Sequence, residues 1–396
     1  MPPEDPIAAV RHPDPYPYYD ALRLERPFEY HASIGMWVAA SAAAVEHVLG
    51  SSACKVRPVV EQVPSTIRDT AAGALFAQLI RMRDDPERVA IRQCLSRSLE
   101  RVNERELDAL AVTQCRAVLA GAPHATPTDR LGPVMRMVPV RTLAARLGVA
   151  GENLSAAGQM THDFVRCLAV GASAEAIARG SRAAHDLTAL IGAALRGRAA
   201  ITAPAQAPRS AGASGLDLDQ PTTAPLIANA VGLLIQAYEA SAGLIGNTIV
   251  AWARANEADH NAAFDDHADP DSDGFARTTE LDALIERVLR DDPPVQNTRR
   301  FVAQDCRIAD NQLRAGEQIL VVLAAAQRDA PAAGLLAFGQ GAHACPGTHH
   351  ARVITRAVTR EMLLQGLDSR VVLDALEYLP YPNLRIPRFA ASPGAC

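Results

Sequence analysis

The feature that most limits the fold of this 396-residue chain is a long apolar stretch from Pro225 to about Asn256. Proline is tolerated at the start of a helix, and the apolar residues that follow have helical spacing. The stretch also carries Gln236, Glu239 and Asn247, which would be costly in the middle of a bilayer. It therefore predicts a helix of roughly 45 Å buried in protein, and not a membrane anchor.

Alanine and leucine at helical spacing dominate the rest of the chain, and alternating apolar segments are few. The candidate strands are Met36–Ala39 and residues 318–324, and a second helix is expected to begin at Pro346. Residues 202–223 are rich in Pro, Ala, Ser and Gly and predict a surface loop. We expect a mainly α protein with small β-sheets.

Composition excludes several classes of protein. The chain is 48% hydrophobic with a formal net charge of −5, which argues against disorder and against a broad nucleic-acid-binding surface. Its seven cysteines form no CxxC pair, and its N-terminus lacks the basic start and apolar run of an export signal. The length alone allows one large domain or two, and we expect a cytoplasmic protein with no nucleic-acid or membrane partner.

The stretch that indicates chemistry is FGQGAHACPG at residues 338–347. Its glycines permit a tight turn and a close approach to the backbone. Cys345 stands just before the helix expected at Pro346, where helix N–H groups stabilise a thiolate. A thiolate there is a strong ligand for a soft metal, and a glycine loop lets a flat macrocycle lie against the backbone.

Three other interpretations of the cysteine stay open on the residues alone. A lone cysteine is often a small buried hydrophobe. Zinc has candidate ligands in His343, Cys345, His349 and His350, although four ligands within eight residues fit a tetrahedron poorly. A nucleophilic cysteine would need a base and an orienting partner, which the sequence does not identify.

The ten-residue string resembles the haem-binding loop of the cytochrome P450 superfamily, FGxGxHxCxG, at every fixed position. The resemblance extends over nearly the whole chain. Further motifs of that superfamily follow in the expected order: Asp14-Pro15-Tyr16-Pro17, Asp85-Pro86-Glu87, Asp292-Pro293-Pro294-Val295-Gln296, Ala315-Gly316-Glu317-Gln318 and Ala325-Ala326-Gln327-Arg328-Asp329. The resemblance implies a P450-like fold, one large catalytic domain over residues 1–396, and haem b, iron protoporphyrin IX, as cofactor.

The same resemblance assigns the cofactor-binding residues. Cys345 is implied as the axial iron ligand, within a loop that includes Phe338, Gly339 and Gly347. Four further residues match positions that bind the haem propionates: His343, Arg300, Arg92 and Arg88. Arg88 stands where the superfamily usually has histidine. Arginine suits this role because its fork makes two charge-assisted hydrogen bonds to a carboxylate.

The long helix departs from the superfamily at the positions implied for catalysis. An acid followed by threonine normally delivers protons there, and this chain has Glu239 followed by Ala240. Ser241 is the next hydroxyl, roughly 100° further around a helix. The acid is therefore kept, while the hydroxyl is lost or displaced.

A second departure concerns the ExxR signature. Aligned through Asp292, its acid falls on Arg287 and its arginine on Arg290, while Glu286 is one residue out of register. Only eight residues separate Asp329 from Phe338, where the superfamily has a longer meander with an arginine that pairs with the same acid. The signature acid and the meander arginine are thus missing together. Their joint loss is self-consistent, because a buried glutamate without its arginine would be destabilising.

An unrelated motif lies between Asp269 and Glu280. Its spacing, D-x-D-x-D-G-x5-E, matches that of a calcium-binding loop, but Pro270 and Ala276 are atypical. We favour an acidic surface loop.

The function implied by the resemblance is a haem-thiolate monooxygenase that hydroxylates a small organic substrate in specialised metabolism. The substrate is free or bound to a carrier protein, and a ferredoxin or a flavodoxin-type protein supplies electrons. Ala240 motivates an alternative, a peroxide-using or non-oxidative haem-thiolate enzyme. Arg287 and the short meander motivate another, a degenerate haem-binding or recruitment module without catalysis.

Overall fold

The computed structural model describes residues 2–202, 223–260, 273–329 and 334–390, which are mostly helical. Their α-helices are α1 Pro6–Ala9, α2 Tyr16–Glu25, α3 Ala42–Gly50, α4 Ala71–Gln78, α5 Glu87–Glu100, α6 Glu104–Ala120, α7 Pro127–Arg146, α8 Leu154–Cys167, α9 Ala174–Thr202, α10 Thr223–His260, α11 Asp273–Asp291, α12 Leu323–Gln327, α13 Thr348–Leu363 and α14 Ser369–Asp374. Short 3-10 helices lie at Ile80–Met82, Gly151–Asn153, Leu336–Phe338 and Gly341–His343.

The strands are short and form three sheets within the described residues. They are β1 Phe28–His31, β2 Met36–Ala39, β3 Cys54–Lys55, β4 Thr298–Val302, β5 Cys306–Ile308, β6 Asn311–Leu313, β7 Gln318–Val321, β8 Leu376–Tyr378 and β9 Pro387–Phe389. The expected fold class, mainly α with small β-sheets, is confirmed.

Most of the predicted elements are confirmed, with one partial error. Strand β2 has the predicted bounds, and α10 contains the predicted long helix within a span of about 57 Å. The strand expected over 318–324 ends at Val321 instead, because the alanine-rich segment Leu323–Gln327 forms helix α12. No helix among the described residues is long and apolar enough to cross a bilayer.

Two predictions fall wholly or partly outside the described residues. The surface loop expected over 202–223 lies outside them except at its two ends. The first part of the calcium-type motif, Asp269 to Ser272, also lies outside them. Its remainder, from Asp273 to Glu280, forms the first turns of helix α11, so the prediction of a loop is wrong for these residues.

The chain divides into two compact units. Unit 1 comprises Met1–Val59, Ala111–Val138 and Glu239–Cys396, and unit 2 comprises Val60–Leu110 and Pro139–Tyr238. The expectation of one catalytic domain over residues 1–396 stays a prediction.

The main sheet of unit 1 is buried on both faces. Its strand order is β1-β2-β7-β4-β3, with β2 and β7 parallel and the other pairs antiparallel. In β7, Ile319 and Val321 face a cluster that includes side chains of helix α3. Leu320 and Val322 face the other side, toward Tyr19 and Leu22 of helix α2. Alternate residues of one strand thus bury both faces of the sheet.

Glycines allow helix α10 to pack closely within unit 1. A Cβ atom added to Gly243 would lie 2.6 Å from Pro294 Cβ, and one added to Gly246 would lie 2.9 Å from Pro387. Real Cβ atoms do not approach so closely, so both positions require glycine. Helix α10 is therefore held tightly against the segments that carry these two prolines.

Unit 2 has its own apolar cluster, in which Ile91 and Leu95 of helix α5 meet Ile80 and Leu226. The side chain of Asn229 strengthens this junction: its Oδ1 accepts the backbone N–H of Ile80 at 2.8 Å, and its Nδ2 donates to the carbonyl of residue 78 at 2.8 Å. These contacts fix helix α5, the element that carries Arg88 and Arg92, within unit 2.

Candidate active site

The loop at residues 338–347 belongs to unit 1, and its backbone explains its first two glycines. Gly339 has φ 68° and ψ −175°, and Gly341 has φ 68°. Such angles strain any residue with a side chain, and those of Gly339 are adopted almost only by glycine. The turn formed by Gly341–His343 then leads to Cys345.

Hydrogen bonds hold the backbone of Cys345 on both sides. Its N–H donates to the carbonyl of Phe338 at 2.8 Å, and its carbonyl accepts the hydroxyl of Thr348 at 3.1 Å. Helix α13 begins at Thr348 with Gly347 as its N-cap, so the prediction of a helix starting at Pro346 was two residues early.

The sulfur of Cys345 is accessible and receives a hydrogen bond. The side chain is exposed, so the interpretation of this cysteine as a small buried hydrophobe is wrong. The N–H of Gly347 donates to Sγ at 3.4 Å, a contact that stabilises a thiolate. Gly347 has an ordinary φ of −92°, and a Cβ there would lie 3.8 Å from Sγ. The absent side chain leaves the sulfur open on that side, which fits a thiolate ligand for a large planar group.

The zinc interpretation is not supported. His343, Cys345, His349 and His350 all lie within the described residues. Across the part of the chain that the structure describes, no group of three or more His, Cys, Asp or Glu side chains is placed to hold a metal ion. The donor set near Cys345 is that of a single thiolate.

Arg300, one of the residues implied to bind a propionate, lies in strand β4 opposite Ile319. It is buried, and its guanidinium donates to its neighbour's carbonyl, that of Arg299, at 2.9 Å. Because opposed residues of an antiparallel pair share a face, Arg300 is on the face of Ile319, whose cluster also contains Leu336 at the entrance to the loop. His343, within the loop itself, is half-buried.

The other two arginines implied to bind a propionate, Arg88 and Arg92, lie in helix α5 of unit 2. Arg88 is buried, with its Nε 3.3 Å from the carbonyl of Ile80, and Arg92 lies one turn further along. Burial lowers the pKa of Arg88, and the nearby charge of Arg92 lowers it further. The nearby carboxylates of Asp84 and Asp85 oppose these two effects, and the propionate-binding role of both arginines stays a prediction.

The positions implied for proton delivery lie along helix α10. Glu239 and Ala240 are partly exposed, whereas Ser241 is buried. The serine hydroxyl is therefore on a more enclosed side of the helix than the missing threonine hydroxyl would be. The roles of these three residues stay predictions.

The positions that align with the ExxR signature are on the surface of helix α11: Arg287 and Arg290 are both exposed. Glu286, the acid one residue out of register, pairs instead with Arg352 of helix α13 through both carboxylate oxygens. Sequence reasoning missed Arg352.

A signal for this pairing was present in the sequence. One helical turn away, Asp282 pairs with Arg356 at 3.0 and 3.2 Å, so α11 and α13 run antiparallel. The two acids are four residues apart, and so are the two arginines. Matching spacings of this kind indicate facing helices.

Gln327 is a second residue that sequence reasoning missed. Its buried amide joins the end of helix α12 to the start of the loop: Nε2 donates to the carbonyl of Gly334 at 3.1 Å, and Oε1 accepts the N–H of Leu336 at 2.5 Å. The shortened meander between these segments is thus closed by one side chain. No local sequence pattern indicates this role of Gln327, because its contacts depend on how the following segment folds back to place Gly334 and Leu336 beside it.

Known proteins are similar to this chain over most of its length. No protein-family model matches the chain. It is 26% identical to vitamin D(3) 25-hydroxylase of Pseudonocardia autotrophica over 92% of this chain and 90% of that protein. It is 26% identical to cytochrome P450 CYP105Q4 of Mycobacterium marinum, over 80% of this chain and 73% of that protein.

Among solved structures, the chain is similar to P450BioI in complex with an acyl carrier protein ligated to hexadec-9Z-enoic acid. The TM-score is 0.71 at 18% identity, covering 94% of this chain and 96% of that one. The fold is that of cytochrome P450 structures, and the relatives support the predictions of a P450-type monooxygenase and of a haem cofactor.

Proposed function

We propose that the protein binds haem b through Cys345 and hydroxylates a small organic substrate in specialised metabolism. The observation that carries this proposal is that Cys345 is exposed and that its sulfur accepts the N–H of Gly347, a residue with no side chain to cover the sulfur. Bound haem would supply oxygen activation, in which one atom of O2 enters a C–H bond and the other leaves as water, at the expense of two electrons and two protons.

We also propose a role for each of the other residues that the resemblance implies for haem binding. Gly339 and Gly341 form the turns that present the sulfur. The guanidinium groups of Arg300, Arg88 and Arg92, with the imidazole of His343, would bind the propionates. Phe338 lies at the start of the loop, and its carbonyl holds the N–H of Cys345.

Glu239 would take up and release a proton at its carboxylate oxygens, and the buried Ser241 would supply the nearest hydroxyl. We assign the substrate to the apolar small molecules, either free or bound to a carrier protein. Two relatives support this: one is named for vitamin D(3), and P450BioI was crystallised with an acyl carrier protein. The proposed electron donor is a ferredoxin or a flavodoxin-type protein, and the proposed location is the cytoplasm.

The test is the absorption spectrum of the reduced, carbon-monoxide-bound protein. A red-shifted Soret band in the natural protein that is absent from Cys345→Ala supports thiolate ligation. Haem-free protein, or the same spectrum in both samples, contradicts the proposal and favours the non-catalytic module.

Ala240 favours a second candidate, a peroxide-using enzyme, because it removes the hydroxyl next to Glu239. Product formation with hydrogen peroxide would be compared with that from oxygen, NADH, ferredoxin and its reductase. Under this alternative, Ala240→Thr raises the oxygen-dependent rate and leaves the peroxide-dependent rate nearly unchanged.

A further inference from the structure

We propose that Glu286 and Arg352 are positioning residues for the Cys345 loop, and that their pair replaces the support that the missing signature acid at position 287 would give. This inference rests on the proposed function, since it concerns how the ligand loop is held.

Arg352 contacts two different groups at once. Its Nε and Nη2 donate to the two carboxylate oxygens of Glu286, with the Nη2 distance at 3.1 Å. Its guanidinium carbon also lies 5.1 Å from the centre of the Phe338 ring. A paired fork and a ring contact together fix the orientation of the guanidinium group more firmly than either would alone.

These contacts lead directly to the backbone of Cys345. Phe338, under the guanidinium, accepts the Cys345 N–H with its carbonyl. Thr348, whose carbonyl is 3.5 Å from Nη1 of Arg352, donates its hydroxyl to the carbonyl of Cys345. Arg352 therefore contacts the residues that hold both sides of the ligand. Glu286 fixes Arg352 to helix α11.

The Glu286–Arg352 pair is expected to orient the loop and to contribute little to the stability of the fold. The side chains of Glu286 and Arg352 keep 39% and 26% of their surface exposed, so solvent screens their attraction. Nearby, Ile285 and Leu289 of helix α11 already pack with Ala337 in an apolar cluster. Removal of the charge should therefore disturb the loop more than the fold.

The chain offers a matched control in Asp282 and Arg356. This pair joins the same two helices one turn away from the loop. Asp282→Asn removes a carboxylate from the helix interface without touching the contacts of Phe338 or Thr348, and Glu286→Gln removes the one that orients Arg352.

The experiment measures transfer of haem from the holoprotein to excess apomyoglobin, together with decay of the red-shifted carbon-monoxide band. Glu286→Gln should speed both processes about five- to tenfold, and Asp282→Asn less than about twofold. Arg352→Gln should match Glu286→Gln, and the double variant should be no worse than either, because the two residues act as one unit. Circular dichroism confirms equal helix content.

Equal effects of Glu286→Gln and Asp282→Asn would overturn the proposal, since the pair would then be ordinary helix packing. Additive effects of the Glu286 and Arg352 variants would overturn it as well. If Glu286→Gln does not fold, Arg352→Lys gives the comparison, because it keeps the charge and loses the fork. A natural protein without the red-shifted band contradicts the proposed function itself, a result distinguishable from any of these.

Discussion

Two arginines of unit 1 cross-link distant segments in contrasting ways. Arg385 is 1% exposed and donates to the carboxylate of Asp292 and to the backbone carbonyls of residues 10, 12 and 13. Arg352 is partly exposed, pairs with Glu286 and lies on the ring of Phe338. The first joins the N-terminal segment to the C-terminal part of the chain, and the second contacts the loop at residues 338–347. The contrast separates residues that stabilise the fold from residues that adjust the site.

The Arg385 cluster is enclosed and well satisfied. The guanidinium carbon lies 3.5 Å from the ring centre of Tyr378, and the Tyr16 hydroxyl donates to Asp292. Burial alone would lower the pKa of Arg385, but Asp292 and Tyr378 outweigh it and raise this pKa. Burial, then Asp292, raises the pKa of Tyr16 well above its usual range, so its hydroxyl stays a donor.

The largest effect is expected from Arg385→Met. It leaves the largely buried Asp292 without its charged partner and should lower the free energy of unfolding by about 3–5 kcal/mol. Urea unfolding followed by circular dichroism measures this. The control is Arg388→Met, because Arg388 pairs with Glu377 on the surface and its loss should cost about 0.5 kcal/mol.

The protein that remains folded after Arg385→Met should keep the carbon-monoxide spectrum of the natural protein. If the carbon-monoxide spectrum changed while the free energy of unfolding did not, Arg385 would act on the site and not on the stability of the fold.

The second largest effect is expected from Gly339→Ala, a substitution in the loop at residues 338–347. Gly339→Ala forces a side chain into a conformation adopted almost only by glycine, at about 1–3 kcal/mol of strain. Gly316→Ala imposes a similar strain at φ 94°, with no atom within 4 Å of the added Cβ. We expect Gly339→Ala to lower the haem content of the purified protein about tenfold, and Gly316→Ala to affect unfolding only. Equal haem contents would show that the turn does not position the sulfur.

Gln327 lies between the two extremes, because it is buried like Arg385 but contacts the loop like Arg352. Gln327→Leu leaves the carbonyl of Gly334 and the N–H of Leu336 without this partner, at about 2–3 kcal/mol of stability. Haem loss should also accelerate. Gln296→Leu is the control, since that buried glutamine donates to the carbonyl of Pro293, away from the loop. It should lower stability without faster haem loss, and the reverse pattern would contradict this assignment.

These contacts show which features the sequence could predict. Strand β2, helix α10 and the loop at 338–347 follow from local patterns: alternation, helical spacing and a string of fixed residues. Gln327 contacts segments that are distant in sequence, so local periodicity gives no sign of its role. For Arg352 the sequence holds only an indirect sign, the equal four-residue spacings of the acids in α11 and the arginines in α13. The ExxR comparison indicated that support was missing at residue 287. It did not indicate that Glu286, the preceding residue of the helix, forms an ion pair with a different arginine, Arg352.

The smallest expected effect comes from a third arginine pair, at Arg328. Asp20 accepts from Nε and Nη2 of Arg328 at 3.0 and 3.1 Å and from Nε of Arg23 at 3.0 Å. The hydrogen bonds from Arg328 lower the pKa of Asp20 below 3.8, with a smaller contribution from Arg23 against the opposing effect of burial. Because the folded-state pKa is the lower one, the stabilisation is complete above about pH 3.8 and is lost as the pH falls through that lower value.

Asp20→Asn should therefore cost about 0.5–1 kcal/mol at neutral pH, since the pair is partly exposed and screened by solvent. The difference should stay constant down to about pH 5 and shrink below about pH 4, as the natural protein loses the same charge. Urea unfolding of both proteins across this range measures it. If the difference in the free energy of unfolding persisted in acid, Asp20 would stabilise the protein through packing and not through its charge. The Asp20–Arg328 pair would then act as the enclosed Arg385 cluster does, and not as the solvent-screened pair of Arg352.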